Sequence, residues 1–243
     1  MIYRGRPGQY AAGEAIGILL LDCLLPLPPG DVANATTFSF PVRYKVVKAA
    51  SIDRLIYQRD LTLLEPFIEA ARDLIREGVK AVTSDCGFMA LFQKEMANAL
   101  EVPVFLSSLL QIPFIHRTLR HGEKVGVIAA DGRNVTERHM RAIGWDESIP
   151  IKITGMENSP NFYNGILAEK GYLDFEKTEA EVVAQAKTLT EDPLVKAILL
   201  ECSNLPPYAA AVQEAVNLPV YDFTTLINHV FSALVRRRFQ GFV

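Results

Sequence analysis

An internal repeat constrains the fold of this chain more than any other feature. Moved by 116 positions, Ala81–Leu119 lies on Ala197–Val235 without a gap. Cys86 then falls on Cys202, Asp85 on Glu201, and Val102-Pro103-Val104-Phe105 on Leu218-Pro219-Val220-Tyr221. Upstream, Ile16-Gly17-Ile18 ending in Asp22 matches Val125-Gly126-Val127 ending in Asp131 at a shift of 109. In each copy a short apolar run ends in a polar residue and leads into an amphipathic stretch, the signature of parallel βα units. Strands are expected near 16–22, 41–47, 79–84, 102–106, 124–130, 151–154, 195–200 and 219–222. Helices are expected near 60–77, 88–99, 113–120, 136–143, 176–190, 209–216 and 225–238. The segment 155–165, with Pro160 and several asparagines, reads as a loop, and the Pro/Gly-rich stretch Cys23–Phe40 as a long loop at a sheet mouth.

The expected architecture is α/β: two pseudosymmetric lobes, each a short parallel sheet flanked by helices, with the active site in the cleft between them. Residues 1–115 with about 218–243 form the first lobe, and about 116–217 the second. Composition agrees with such a core, since 49% of the 243 residues are hydrophobic. A net charge of −3 argues against a nucleic-acid surface. The apolar run Ala15–Leu21 follows Arg4 and Arg6, but Asp22 and the prolines after it fit a buried strand better than a signal peptide. No run is long enough to span a bilayer. Three cysteines do not make a disulfide framework, so a reducing, cytoplasmic setting is expected.

The repeat sorts those cysteines into a pair and a remainder. Cys86 and Cys202 each follow a buried strand and precede a helix, and in open α/β sheets ligands bind at the carboxyl ends of strands. A helix N-terminus is expected to draw such a thiol below its free pKa of about 8.5 and to hold a carboxylate. Two thiols facing one carbon supply the acid and the base that inversion requires. The alternative for each is an inert buried thiol. Cys23 has no equivalent and is taken as structural. Asp22 caps its loop or meets substrate. Asp85 and Glu201 are expected to point away from their neighbouring cysteines if the strand pleat persists. No CxxC pair marks a metal site, and no glycine-rich turn marks a dinucleotide site.

With Ser84-Asp85-Cys86-Gly87 and Glu201-Cys202-Ser203-Asn204 both in view, the chain resembles the aspartate/glutamate (Asp/Glu/hydantoin) racemase superfamily over essentially its whole length. Leu21-Asp22, Pro29-Gly30-Asp31 and Thr37–Val42 resemble a less characterised subgroup. The resemblance implies cofactor-independent proton transfer, with Cys86 and Cys202 as catalytic residues. It places Asp22, Ser51, Gly87, Phe88, Ser203 and Asn204 around a small-molecule carboxylate substrate. The expected activity is that of an isomerase, a racemase or epimerase of an amino acid or related acid. Maleate-type isomerisation, arylmalonate-type decarboxylation and non-catalytic binding of a small acid are the alternatives. No cofactor, nucleic acid or membrane partner is expected, and homo-oligomer formation is left open. Where glutamate racemases have Cys-Asn-Thr and Cys-Thr-His, this chain has Cys86-Gly87-Phe88 and Cys202-Ser203-Asn204. Phe88 and Met89 would give an apolar wall suited to a bulkier acid.

Overall fold

The computed structural model describes residues 2–242. Seven parallel strands form two sheets: β1 (Ile16–Leu21), β2 (Val42–Val47) and β3 (Ala81–Ser84) in the order β2-β1-β3, and β4 (Lys124–Ala129), β5 (Ile151–Gly155), β6 (Val195–Leu200) and β7 (Val220–Tyr221) in the order β5-β4-β6-β7. The strands β1, β3, β4 and β6 are almost wholly buried because helices cover both of their faces, which is why most of them read as apolar runs. Edge strand β2 is mostly half-buried instead, and Arg43 on it pairs with Glu14 and Glu77.

The repeat is visible in the hydrogen-bond register. Ile16 pairs with Val42 and Ala81, and Val125, 109 residues on, pairs with Ile151 and Ala197. The single bridge Val82–Val104 has its counterpart in Ile198–Val220. Both halves therefore obey the two sequence shifts residue by residue. β7 belongs to the second sheet, while Phe223, Leu226 and Ile227 of the helix Phe223–Leu234 pack in one cluster with Ile16, Ile18 and Phe105 of the first half. The C-terminal stretch is thus shared between the halves. Leu19, Leu21 and Val82 join Ile128, Ala130 and Leu200 in one continuous core.

Several elements differ from expectation for identifiable reasons. The run 102–106 makes one bridge in place of a strand. The stretch after Cys86 starts as a 3-10 turn, Gly87–Phe92, and becomes α-helical only at Gln93–Ala99. The supposed loop 155–165 contains a helical turn, Pro160–Phe162, continuing as a wide turn through Tyr163–Leu167. Its first N–H groups are capped by Glu181, whose carboxylate accepts from Asn161 N and Phe162 N at 2.9 Å each. That cap comes from the helix Phe175–Thr190 and has no local sequence signal. The last helix stops at Leu234, where its apolar spacing ends and Arg236–Arg238 begin. Among the described residues, no helix is long and apolar enough to cross a membrane.

Candidate active site

β3 and β6 deliver Cys86 and Cys202 to the same place. The residue after each strand leaves the pleat in the same way. Asp85 N donates to Leu19 O at 3.0 Å and Glu201 N donates to Ile128 O at 2.8 Å. Their carboxyls then turn back onto the neighbouring strand ends: Asp85 accepts from Leu21 N at 3.1 and 3.2 Å, and Glu201 Oε2 from Ala130 N at 3.1 Å. These four contacts again obey the two shifts. The two strand ends are also tied across the cleft. Ser203 Oγ donates to the Asp85 carbonyl, and Ser108 Oγ lies 2.9 and 3.0 Å from the carbonyl oxygens of Leu200 and Glu201.

Cys86, Cys202, Asp85 and Glu201 line one closed cavity together with Gly87, Phe88 and Asn204. Leu21, Leu25, Ile52, Ile56, Ile166 and Leu167 supply apolar walls. The cavity volume is about 20 Å³, space for roughly one water molecule, so a substrate enters only when a wall moves. Leu25 comes from the loop after β1 and Ile166–Leu167 from the wide turn Tyr163–Leu167 of the other half, and the two segments are linked where Leu24 N donates to Glu169 Oε1 at 3.0 Å. Cys202 Sγ donates to Asn204 Oδ1 at 3.4 Å.

Of the sequence-predicted residues, Cys86, Cys202, Gly87, Phe88 and Asn204 meet at this cavity. Ser203 stands behind it, its hydroxyl committed to the Asp85 carbonyl. Asp22 is exposed and outside the lining, its N–H donating to Ala50 O. Ser51 is also outside, with Oγ accepting from Arg54 N at 3.3 Å as the cap of a helical turn. Asp85 and Glu201, expected to point away, are part of the site. Their equivalence under the same shift as the cysteines was the available signal, and the pleat rule fails because both lie one residue past the ladder.

The electrostatics also differ from expectation. Both thiols are pushed well above the ordinary cysteine value, not below it. Burial dominates, and the Glu201 carboxyl adds to it at each sulfur. The Phe88 N–H at Cys86 and the Asn204 N–H at Cys202 act in the opposite direction but are outweighed. Burial likewise raises Glu201 from 4.5 to about 7 and the partly buried Asp85 from 3.8 to about 8. The folded protein therefore binds more protons than the unfolded chain between roughly pH 4 and these values, and stability falls as pH rises through that window. The thermal midpoint is expected to be at least about 5 °C lower at pH 8 than at pH 5, and Glu201→Gln is expected to flatten the decline. A scan of melting temperature against pH checks both; a flat wild-type curve would refute the burial of these acids.

No family model matches the chain. It is 31% identical to a dimethylsulfoniopropionate lyase from Durusdinium sp. clade D over 217 residues, covering 86% of this chain and 71% of the relative. It is 32% identical to dimethylsulfoniopropionate lyase 3 from Emiliania huxleyi (strain CCMP1516) over 238 residues, covering 91% of this chain and 60% of that relative. Among solved structures, unliganded arylmalonate decarboxylase matches with a TM-score of 0.60 at 16% identity, over 93% of this chain and 94% of that one. An aspartate racemase homologue from Pyrococcus horikoshii OT3 matches with a TM-score of 0.58 at 15% identity, over 91% and 99%. The fold is thus the one seen in arylmalonate decarboxylase and in the aspartate racemase homologue, as the resemblance implied. The activity expected with it is not supported: the relatives by sequence are lyases, which overturns the racemase and isomerase reading. With 31% identity to a relative of which it covers more than two thirds, the chain belongs to the dimethylsulfoniopropionate lyase family.

Proposed function

We propose that this chain is a lyase that cleaves dimethylsulfoniopropionate, or a closely related β-sulfonio acid, by elimination. The observation that carries the reading is the convergence of two strand-end thiols, the buried Glu201 carboxyl and the partly buried Asp85 carboxyl on one apolar cavity, in a chain related to such lyases. A racemase and this lyase share their first step, removal of a weakly acidic hydrogen α to a carboxylate. The fate of the resulting electron pair depends on the substrate. With a sulfonium on the β-carbon, the pair released at the α-carbon forms the carbon–carbon double bond and the carbon–sulfur bond breaks. Its electrons go to sulfur, so neutral dimethyl sulfide departs and acrylate remains. The proton taken by the base is released to solvent.

Such a leaving group needs no proton, so one base suffices. Cys202 is that base. Its thiol is held by a side chain that is itself held, the arrangement found where an acid/base group is oriented by a third residue. The neutral thiol of the closed cavity becomes a thiolate when a cationic substrate replaces water beside it, because the sulfonium charge offsets burial and the neighbouring acids. Cys86 faces Cys202 and shapes the site with Gly87 and Phe88. The aliphatic walls suit the S-methyl groups, and Asp85 and Glu201 present carboxyl oxygens to the sulfonium. Backbone N–H groups after each cysteine stabilise the carboxylate and the charge that develops on it. The three cysteines are all free, in keeping with a reducing, cytoplasmic setting.

Incubation with dimethylsulfoniopropionate in D₂O, followed by proton NMR and headspace gas chromatography, tests the reading. Acrylate and dimethyl sulfide are expected in equal amounts. No product over hours, or deuterium at the α-carbon with the carbon–sulfur bond intact, overturns it.

A further inference from the structure

The long loop between β1 and β2 contains a buried acid, the group that holds Asn204. Asp31 is 1% exposed. The loop folds around it: Asp31 N donates to Pro28 O at 3.0 Å, Asp31 Oδ1 accepts from Ala33 N at 2.8 Å, and Thr37 Oγ donates to Asp31 O at 2.6 Å. The loop is also seated on the turn after Cys202. Val32 N donates to Ser203 O at 3.4 Å. Gly30, at φ +100°, lies so close to this turn that a Cβ there would come within 2.8 Å of Pro207 Cα. The remaining oxygen of the acid, Asp31 Oδ2, accepts from Asn204 Nδ2 at 2.6 Å. Asn204 Oδ1 in turn accepts from the Cys202 thiol.

We propose that Asp31 is a positioning residue that, through Asn204, fixes the orientation and protonation of the Cys202 thiol. An ionised carboxylate only accepts hydrogen bonds, so the Asn204 NH₂ must face Asp31 and its oxygen must face the sulfur. The amide orientation follows from this chemistry. An oxygen facing the sulfur favours the S–H form and holds the hydrogen on the line between the two residues. The link reaches across the molecule: a loop of the first half sets the geometry of the cysteine of the second. Burial raises Asp31 from 3.8 to about 6, opposed by the N–H groups of Asn204 and Ala33, so it is ionised at neutral pH. The acidic groups facing the Cys202 sulfur are Glu201 first, then Asp31 and Asp85, whereas those bearing on Cys86 are Glu201, then Cys202 and Asp85.

Asp31→Asn keeps the shape and removes the charge and the acceptor-only character. The alkylation rate of each cysteine by iodoacetamide, resolved by mass spectrometry against pH, reads the effect in the full chain. The Cys202 midpoint is expected to fall by about half a pH unit or more, since the amide is free to turn an N–H toward the sulfur, while that of Cys86 stays in place. The kinetic arm rests on the lyase reading: kcat for elimination is expected to drop about tenfold with KM nearly unchanged, as for a base held less well. The alkylation arm does not depend on that reading, so failure of one is distinguishable from failure of the other. If Asp31→Asn does not fold, Asn204→Ala, which leaves Asp31 in place, must give the same selective fall at Cys202. Unchanged midpoints, or equal shifts at both cysteines, overturn the proposal.

Discussion

Cys202→Ser is expected to lower kcat for acrylate formation by about 10² to 10⁴, the usual contribution of a positioned acid/base group. Cys86→Ser is expected to cost less than about tenfold, because expelling dimethyl sulfide calls for no acid on the opposite face. Serine keeps nearly the volume of cysteine in a cavity of about 20 Å³, so packing changes little. Its hydroxyl, however, is a far weaker acid than the thiol, and the alkoxide is inaccessible near neutral pH. The asymmetry is the informative quantity, since Cys86 and Cys202 occupy equivalent places after β3 and β6. What breaks the equivalence is Asn204, which accepts from Cys202, while the position 116 residues earlier holds Phe88. Initial rates for both variants, with melting temperatures to exclude unfolding, check the prediction. An equal collapse in the two would mean that both thiols take part in proton transfer and would remove the single-base mechanism.

The cysteine pair was legible because a buried parallel strand writes itself as an apolar run, and the residue just after it is placed by the sheet. The register shows how far this goes: Ile16 opposite Ala81 and Val125 opposite Ala197 are the two shifts read from the sequence. Asp85 and Glu201 were misread for a physical reason. Alternation holds only while the ladder lasts, and both carboxyls turn back to cap the neighbouring strand ends at Leu21 N and Ala130 N. The apolar wall at Ile166–Leu167 was hidden because Glu181, from a distant helix, caps the turn that leads to it. Asp22 looked equivalent to a site residue yet lies exposed, since the loop after β1 directs Leu25 inward instead. The activity was the least legible feature. Inversion and elimination begin at the same α-carbon with the same base, and the difference lies in the leaving group of the substrate rather than in the type of residue at a strand end.

Gly87→Ala is expected to lower stability by at least about 2 kcal/mol, a fall in melting temperature of roughly 4–8 °C, and to abolish most activity. A Cβ at this position would sit 2.5 Å from the Glu201 carbonyl oxygen and 2.6 Å from its carboxyl carbon, and closer still to Oε1. The carbonyl and the carboxyl group as a whole are held in place. Glu201 Oε2 is held by Ala130 N, its carbonyl by Ser108 Oγ and its N–H by Ile128 O. The buried Oε1 has no partner and faces the glycine. The equivalent contact in the other half explains why a side chain is tolerated there. Ser203 stands where Gly87 would be, and the acid opposite it is Asp85, one methylene shorter than Glu201; its hydroxyl bonds to the Asp85 carbonyl. A short acid faces a serine on one side of the cleft, and a long acid faces a glycine on the other. Shortening the long acid should therefore relieve the clash. The double variant Gly87→Ala/Glu201→Asp is expected to regain most of the lost melting temperature, whereas Glu201→Gln, which keeps the length, is not. Thermal melts of the single and double variants decide the matter: a wild-type melting temperature in Gly87→Ala, or no recovery with the shorter acid, would show that the two strand ends do not meet in this way.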